Sequence, residues 1–324
     1  MTDSKYILVT GSAGFIGFNL SKQLLDQGHK VVGIDNFNDY YDVKLKEGRA
    51  KILREHPNFV EKRLDLCENK ELEQVFSEFS FSRICHLAAQ AGVRYSLTHP
   101  YVYEKSNLAG FLNILEMTRN FNIPRLVYAS SSSVYGGNTK MPFAETDSVD
   151  TPVSLYAATK KANELMAHAY SHLFGFQSIG LRFFTVYGPW GRPDMAMWLF
   201  VKAIKDGKPI KVFNHGNMKR DFTYIDDIIN GVCGALFAEG LDQYEVFNLG
   251  NHRSEHLMEM IGLIEKEMGI EAKKELMPMQ PGDVPESYAE ITKAQEKLGY
   301  HPETSIDKGI PKFISWYNEH PEFH

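Results

Sequence analysis

Tyr156 and Lys160, in the segment SLYAATKK, stand four residues apart in a stretch of helical period, so both side chains leave one face of a helix. A phenol of ordinary pKa, about 10, is a poor base at neutral pH, and a neighbouring ammonium improves it by stabilising phenolate. Upstream, ASSSSVYG ends a β-rich run and brings several hydroxyls toward the same place, among them Ser131, Ser132 and Ser133. Such a set can exchange a proton with a substrate hydroxyl, with Tyr156 as acid and base and Lys160 as its electrostatic support.

The N-terminal segment VTGSAGFIG, Val9 to Gly17, follows one β-rich run and opens a helix-period stretch. A helix N-terminus approached by backbone without Cβ atoms offers unpaired N–H groups and a positive dipole end to a pyrophosphate. Asp35 ends the next run, 18 residues beyond Gly17, where an acid accepts from adenosine ribose hydroxyls and repels a 2′-phosphate. The expected cofactor is therefore NAD rather than NADP. Its contacts are expected from Gly11, Ala13, Gly14, Phe15, Ile16, Gly17, Asp35 and Asn36. Asp65 and Leu66, and Leu87, Ala88, Ala89 and Gln90, also end β-rich runs, at the edge where such sheets bind ligands.

Positioning these groups requires alternating strands and helices. YILVT, KVVGID, NFVEKRLD, RICHLAA, RLVYASS and SIGLRFF read as strands, separated by helical stretches such as Phe15 to Asp26 and Leu108 to Asn122. The fold class is α/β, a doubly wound parallel sheet over residues 1–184 with a smaller lobe over 185–324. The lobes are expected to interleave, because residues 224–250 read as a helix and strand that rejoin the first sheet.

The bulk properties exclude several classes. A net charge of -6 lacks the basic excess that nucleic acid requires. No apolar run reaches the roughly 20 residues of a membrane-spanning helix. The three cysteines are scattered, which suggests neither a disulfide framework nor a metal cluster, and a cytoplasmic location fits. His168 and His172, four apart, read as ordinary helix-surface or interface residues and not as metal ligands.

TGSAGFIG, the serine cluster before VYG and Tyr-x-x-x-Lys together resemble an extended short-chain dehydrogenase/reductase of the nucleotide-sugar type, over essentially the whole chain. The resemblance implies a Rossmann domain holding NAD, a C-terminal lobe holding a nucleoside diphosphate sugar, and a homodimer. It makes Ser131 the hydroxyl partner of Tyr156, with Ser132 and Ser133 able to share the role, and it places Asn107 and Phe183 near cofactor and substrate. Dehydratases and decarboxylases of this group resemble one another in carrying an acid immediately before the Val-Tyr-Gly. Here Ser133 stands there, which leaves reversible oxidation at carbon 4, and hence 4-epimerisation, as the simplest chemistry.

TVYGPWGRPDMA resembles the corresponding segment of UDP-glucuronate 4-epimerases, and QAGVRYS supports the same assignment. In that reading Arg192 makes a bidentate contact with the sugar carboxylate and the Thr185 hydroxyl a second one. Arg94 competes for the carboxylate or for a phosphate. The resemblance further assigns Arg220 to the pyrophosphate, Asp283 to the uridine ribose, and Val212 and Phe213 to the uracil. Gln280 stands where relatives acting on neutral hexoses commonly have arginine. The alternatives are a 4-epimerase of neutral or N-acetylated UDP-hexoses and, in a different class, an NAD-sensing regulator without turnover.

Overall fold

A computed structural model of the chain describes residues 5–280 and 282–324. Its centre is a seven-stranded, all-parallel sheet. In chain order the short runs become β1 (Tyr6–Thr10), β2 (Val31–Asp35), β3 (Phe59–Arg63), β4 (Phe81–His86), β5 (Arg125–Ser131) and β6 (Gln177–Phe183). The seventh strand, Tyr244–Leu249, arrives from far along the chain and pairs with β6 at the sheet edge. Across the sheet the order is Tyr244–Leu249, β6, β5, β4, β1, β2, β3. It reverses direction at β1, next to β4, the crevice where open sheets of this kind take their ligands.

Strand alternation builds a core on each face. Ile7, Val9, Val31, Cys85, Val127 and Ile179 face one side, while Leu8, Val32, Ile84, Leu126 and Tyr128 face the other. The first side is covered by α1 (Phe15–Asp26) and by the helix Ile225–Phe237; α2 (Val43–Arg54) packs on α1 and β3. The second core takes in α3 (Asn69–Glu78) and the long segment Gly110–Asn120. The first core runs on without a break through Phe184, Trp198, Ile229, Phe313 and Tyr317, so the C-terminal lobe shares it with the sheet.

The helix Leu155–Phe174 carries the reactive pair and is well started and stopped. The Ser154 side chain accepts from the Ala157 N–H at its N-terminus, and Gly175 closes it in a left-handed conformation. The segment expected to begin a regular helix at Leu108 instead passes through a π-helical turn, Glu104–Ala109, before Gly110–Asn120. The extra residue in that turn seats Asn107, which is buried and bonds Gln90 after β4 and both Thr159 and Asn163 of the helix Leu155–Phe174.

Candidate active site

The carboxyl ends of β1, β2, β4, β5 and β6 open on one cleft of about 250 Å³. Gly11, Gly14, Phe15, Ile16 and Gly17 line it from one side, Asp35, Asn36, Asp65 and Leu66 from another, and Leu87 to Gln90 from a third. Ser131, Tyr156, Lys160, Phe183 and Arg192 line its reactive end.

The glycine turn leaves no room for side chains. A Cβ on Gly17 would stand 2.1 Å from the Gly11 carbonyl oxygen, and one on Gly11 would meet the Ala88 nitrogen at 2.8 Å. Among the described residues no side chain caps the first turn of α1, whose Phe15, Ile16 and Gly17 line the cleft. Asp35, buried, accepts from the N–H groups of Ala13 at 3.1 Å and Phe37 at 2.8 Å. Ala13 therefore acts through its backbone, behind the cleft lining. An uncapped helix start, a Cβ-free cradle and a fixed acid after the second strand suit a dinucleotide.

Tyr156 and Ser131 meet at the reactive end. Burial pushes the Tyr156 phenol up, while the Ser131 hydrogen bond and the Arg192 charge pull it back down. Lys160, nearly inaccessible, donates to the Ala129 carbonyl at 2.9 Å, and burial lowers its ammonium to about 8. Ser131 and Arg192 thus both favour the phenolate. The Lys160 charge also bears on His86, whose imidazole burial and then the lysine depress to about 3, keeping it neutral. His86 is held to Thr10 at 2.8 Å, which fixes β4 against β1 under the glycine turn.

Several expected residues lie elsewhere. Asn107 does not line the cleft; it is a strut that accepts from the Gln90 N–H and donates to the Gln90 carbonyl and the Thr159 hydroxyl. Ser132 and Ser133 turn away in a 3-10 turn, where the Ser133 N–H donates to Ser131 Oγ. Ser130, which sequence reasoning left out, lines the cleft instead and donates to Glu164. Thr185 sits in the short strand Thr185–Tyr187, outside the cleft lining, between Phe184 and Val186, which do line it.

Arg192 lines the cleft, but it is not alone there. Its Nε and Nη2 donate to the two carboxylate oxygens of Asp194, at 3.0 and 2.5 Å, and Tyr40 donates to the same carboxylate at 3.0 Å. Burial opposes the guanidinium charge, and Asp194 outweighs it, holding Arg192 above its ordinary range. Arg49 was also missed. Completely buried, it donates to the carbonyls of Ala13, Trp190 and Gly191, tying the glycine turn to the loop that carries Arg192. The run NDYYDVKLKEGRA just after Asp35 held the signal, a dense set of polar side chains on an approach to the cofactor strand.

Arg94, Phe213, Arg220 and Asp283 form a second cluster outside the cleft lining. Asp283 lies 3.6 Å from Arg94 Nη2 and 3.4 Å from Arg220 Nη2, and the Arg94 guanidinium sits over the Phe213 ring. Two arginines share one carboxylate, which leaves a positive excess suited to a diphosphate. The Asp283 N–H donates to the Gln280 carbonyl, and Gln280 Oε1 is buried without a hydrogen-bond partner among the described residues. Val212 is buried in the core that the lobe shares with the sheet.

Comparison with known proteins agrees with this geometry. Residues 7–250 match the model of the NAD dependent epimerase/dehydratase family. The chain is 50% identical over 330 residues to Protein CapI of Staphylococcus aureus, covering 97% of this chain and 98% of that one. It is 48% identical over 327 residues to UDP-glucuronate 4-epimerase 4 of Arabidopsis thaliana, covering 96% of this chain and 75% of the plant protein. Among solved structures it resembles UDP-glucuronic acid 4-epimerase from Bacillus cereus in complex with UDP-glucuronic acid and NAD. That likeness has a TM-score of 0.89 at 34% identity, over 97% of this chain and 99% of that one. The chain belongs to the NAD dependent epimerase/dehydratase family.

Proposed function

We propose that this chain interconverts UDP-glucuronate and UDP-galacturonate by inverting carbon 4, with NAD as its resident cofactor. The observation that carries the reading is Arg192, set in the same cleft as Tyr156 and close enough for its charge to lower the phenol. Relatives with that activity in their names, and a solved neighbour holding UDP-glucuronic acid and NAD, support it.

Residues 1–184 with 224–250 serve the dinucleotide, and 185–324 serve the sugar nucleotide. The glycine turn and the start of α1 take the pyrophosphate, and Asp35 takes the adenosine ribose. NAD held there would supply a reversible hydride acceptor for carbon 4, so that inversion would consume no oxidant. Tyr156 removes the 4-hydroxyl proton and later gives it back, with Ser131 sharing that proton. Lys160, one helical turn along from Tyr156 and anchored on the Ala129 carbonyl, supplies positive charge to the reactive end. Arg94, Arg220 and Asp283 hold the diphosphate and uridine ribose, with Phe213 at the uracil.

A 4-keto uronate is a β-keto acid and loses carbon dioxide most easily when the breaking bond lies parallel to the carbonyl π system. Arg192 holds the carboxylate out of that alignment. Because Asp194 occupies the Nε side of the fork, the sugar carboxylate docks end-on, against Nη1 and Nη2. A neutral UDP-hexose is the second reading, favoured by the partial neutralisation of Arg192 by Asp194. Parallel assays with UDP-glucuronate, UDP-glucose and UDP-N-acetylglucosamine separate the two: turnover of the acidic sugar in clear preference supports the uronate reading, and preference for a neutral sugar overturns it.

The reaction is assigned to the cytoplasm, where three free cysteines persist. No described helix is long and apolar enough to cross a membrane. Two copies associate through the helices Gly110–Asn120 and Leu155–Phe174, which leave Leu112, Leu165, Leu173 and Phe174 exposed.

A further inference from the structure

Arg192 carries an internal counter-ion whose geometry does more than neutralise it. Asp194 lies two residues on, and Pro193 between them fixes φ, so the acid folds back onto its neighbour's fork. The contact is bidentate, Nε to Oδ1 and Nη2 to Oδ2, which sets the plane of the guanidinium as well as its distance. The remaining Nη1 makes no hydrogen bond to protein among the described residues. Arg192 lines the cleft and Asp194 does not, so the acid supports the guanidinium from behind.

Asp194 is itself held. Tyr40 donates to Oδ2 at 3.0 Å, and its ring is wedged edge-on against Tyr95, with centroids 4.8 Å apart. Tyr40 comes from the loop five residues after Asp35, so the chain that turns away from the cofactor strand also reaches the support of Arg192.

We propose that Asp194 and Tyr40 are positioning residues that aim the Arg192 guanidinium end-on at the sugar carboxylate, so that preference for an acidic sugar depends on a carboxylate that does not touch the sugar. The proposal rests on the uronate reading above. An unsupported guanidinium still attracts a carboxylate, but it no longer fixes its plane. The 4-keto sugar can then break its C5–C6 bond, whose electron pair forms an enolate across C4 and C5; carbon dioxide leaves, and C5 takes a proton from water. The reducing equivalent stays as NADH, one for each carbon dioxide lost.

The test uses the full chain loaded with NAD and three variants, Asp194→Asn, Asp194→Ala and Tyr40→Phe. Calorimetric Kd and steady-state KM are measured for UDP-glucuronate and UDP-glucose, and products are followed by NMR. Asp194→Ala is expected to weaken UDP-glucuronate about tenfold while UDP-glucose changes less than about twofold, and to release a UDP-4-keto-pentose with matching NADH. Asp194→Asn, which keeps one acceptor, falls between it and wild type. Tyr40→Phe keeps the ring packing and shifts both readings in the same direction by a smaller factor. Equal losses on both sugars, or unchanged selectivity and products in all three variants, overturn the proposal while leaving the uronate reading intact. A wild-type protein that ignores UDP-glucuronate and turns over UDP-glucose overturns both.

Discussion

The Ser130 hydroxyl donates a hydrogen bond to Glu164 Oε1 at 2.6 Å, one residue before Ser131, the proposed partner of Tyr156. Glu164 is also gripped by Arg182 through two bonds of 2.8 Å, and both side chains are almost wholly buried. Breaking this pair from one side strands a buried charge. Glu164→Ala is therefore expected to lower the unfolding free energy by about 3–5 kcal/mol, read by urea titration. A loss below about 1 kcal/mol would mean that water reaches Arg182.

Tyr156→Phe removes the proposed proton-transfer group and keeps the ring. Turnover is expected to fall by about 10³-fold, with NAD content and UDP-sugar affinity close to wild type. A variant of near-normal rate would remove Tyr156 from the chemistry.

Ser131→Ala acts on the same phenol through its pKa. The hydrogen bond from Ser131 lowers the Tyr156 pKa against the upward push of burial, so removing it raises that pKa. Phenolate is the base, and activity is lost as pH falls through its pKa; the acid limb of kcat/KM is therefore expected to move to higher pH in Ser131→Ala. A limb that stays in place or moves to lower pH contradicts the assigned contact.

Asp35→Asn tests cofactor choice. The amide can still accept through one oxygen, but it no longer repels a 2′-phosphate. The ratio of NADP to NAD affinity is expected to rise about tenfold, the worth of one charge contact, by fluorescence titration of stripped protein. No change in the ratio would place the adenosine ribose elsewhere.

Leu165→Glu puts a charge on the proposed contact between copies. Light scattering is expected to give twice the chain mass for wild type and the single chain mass for the variant. Equal masses would move the interface away from the helix Leu155–Phe174.

The sheet and the reactive helix were legible because local patterns decided them. Gly11, Gly14 and Gly17 stand where any Cβ would meet backbone, and Tyr156 and Lys160 share a face by helical spacing alone. The partners of those residues were not legible, since they depend on which distant segments meet. Asp194 and Tyr40 are 154 positions apart, and Arg49 reaches Trp190 across 141. Periodicity carries no signal for such contacts. The π-helical turn at Glu104–Ala109 was hidden for a different reason: its side chains keep a helix-like pattern while the backbone takes up an extra residue. The closeness of Lys160 to His86, whose imidazole burial and the lysine charge lower, was likewise hidden, because it depends on how the helix packs on the sheet.

The most direct measurement is a proton NMR time course of purified protein with UDP-glucuronate and no added cofactor. The account predicts that UDP-galacturonate grows in to equilibrium while neither NADH nor a UDP-pentose accumulates. Untouched substrate, or a 4-keto product appearing in step with NADH, would contradict it.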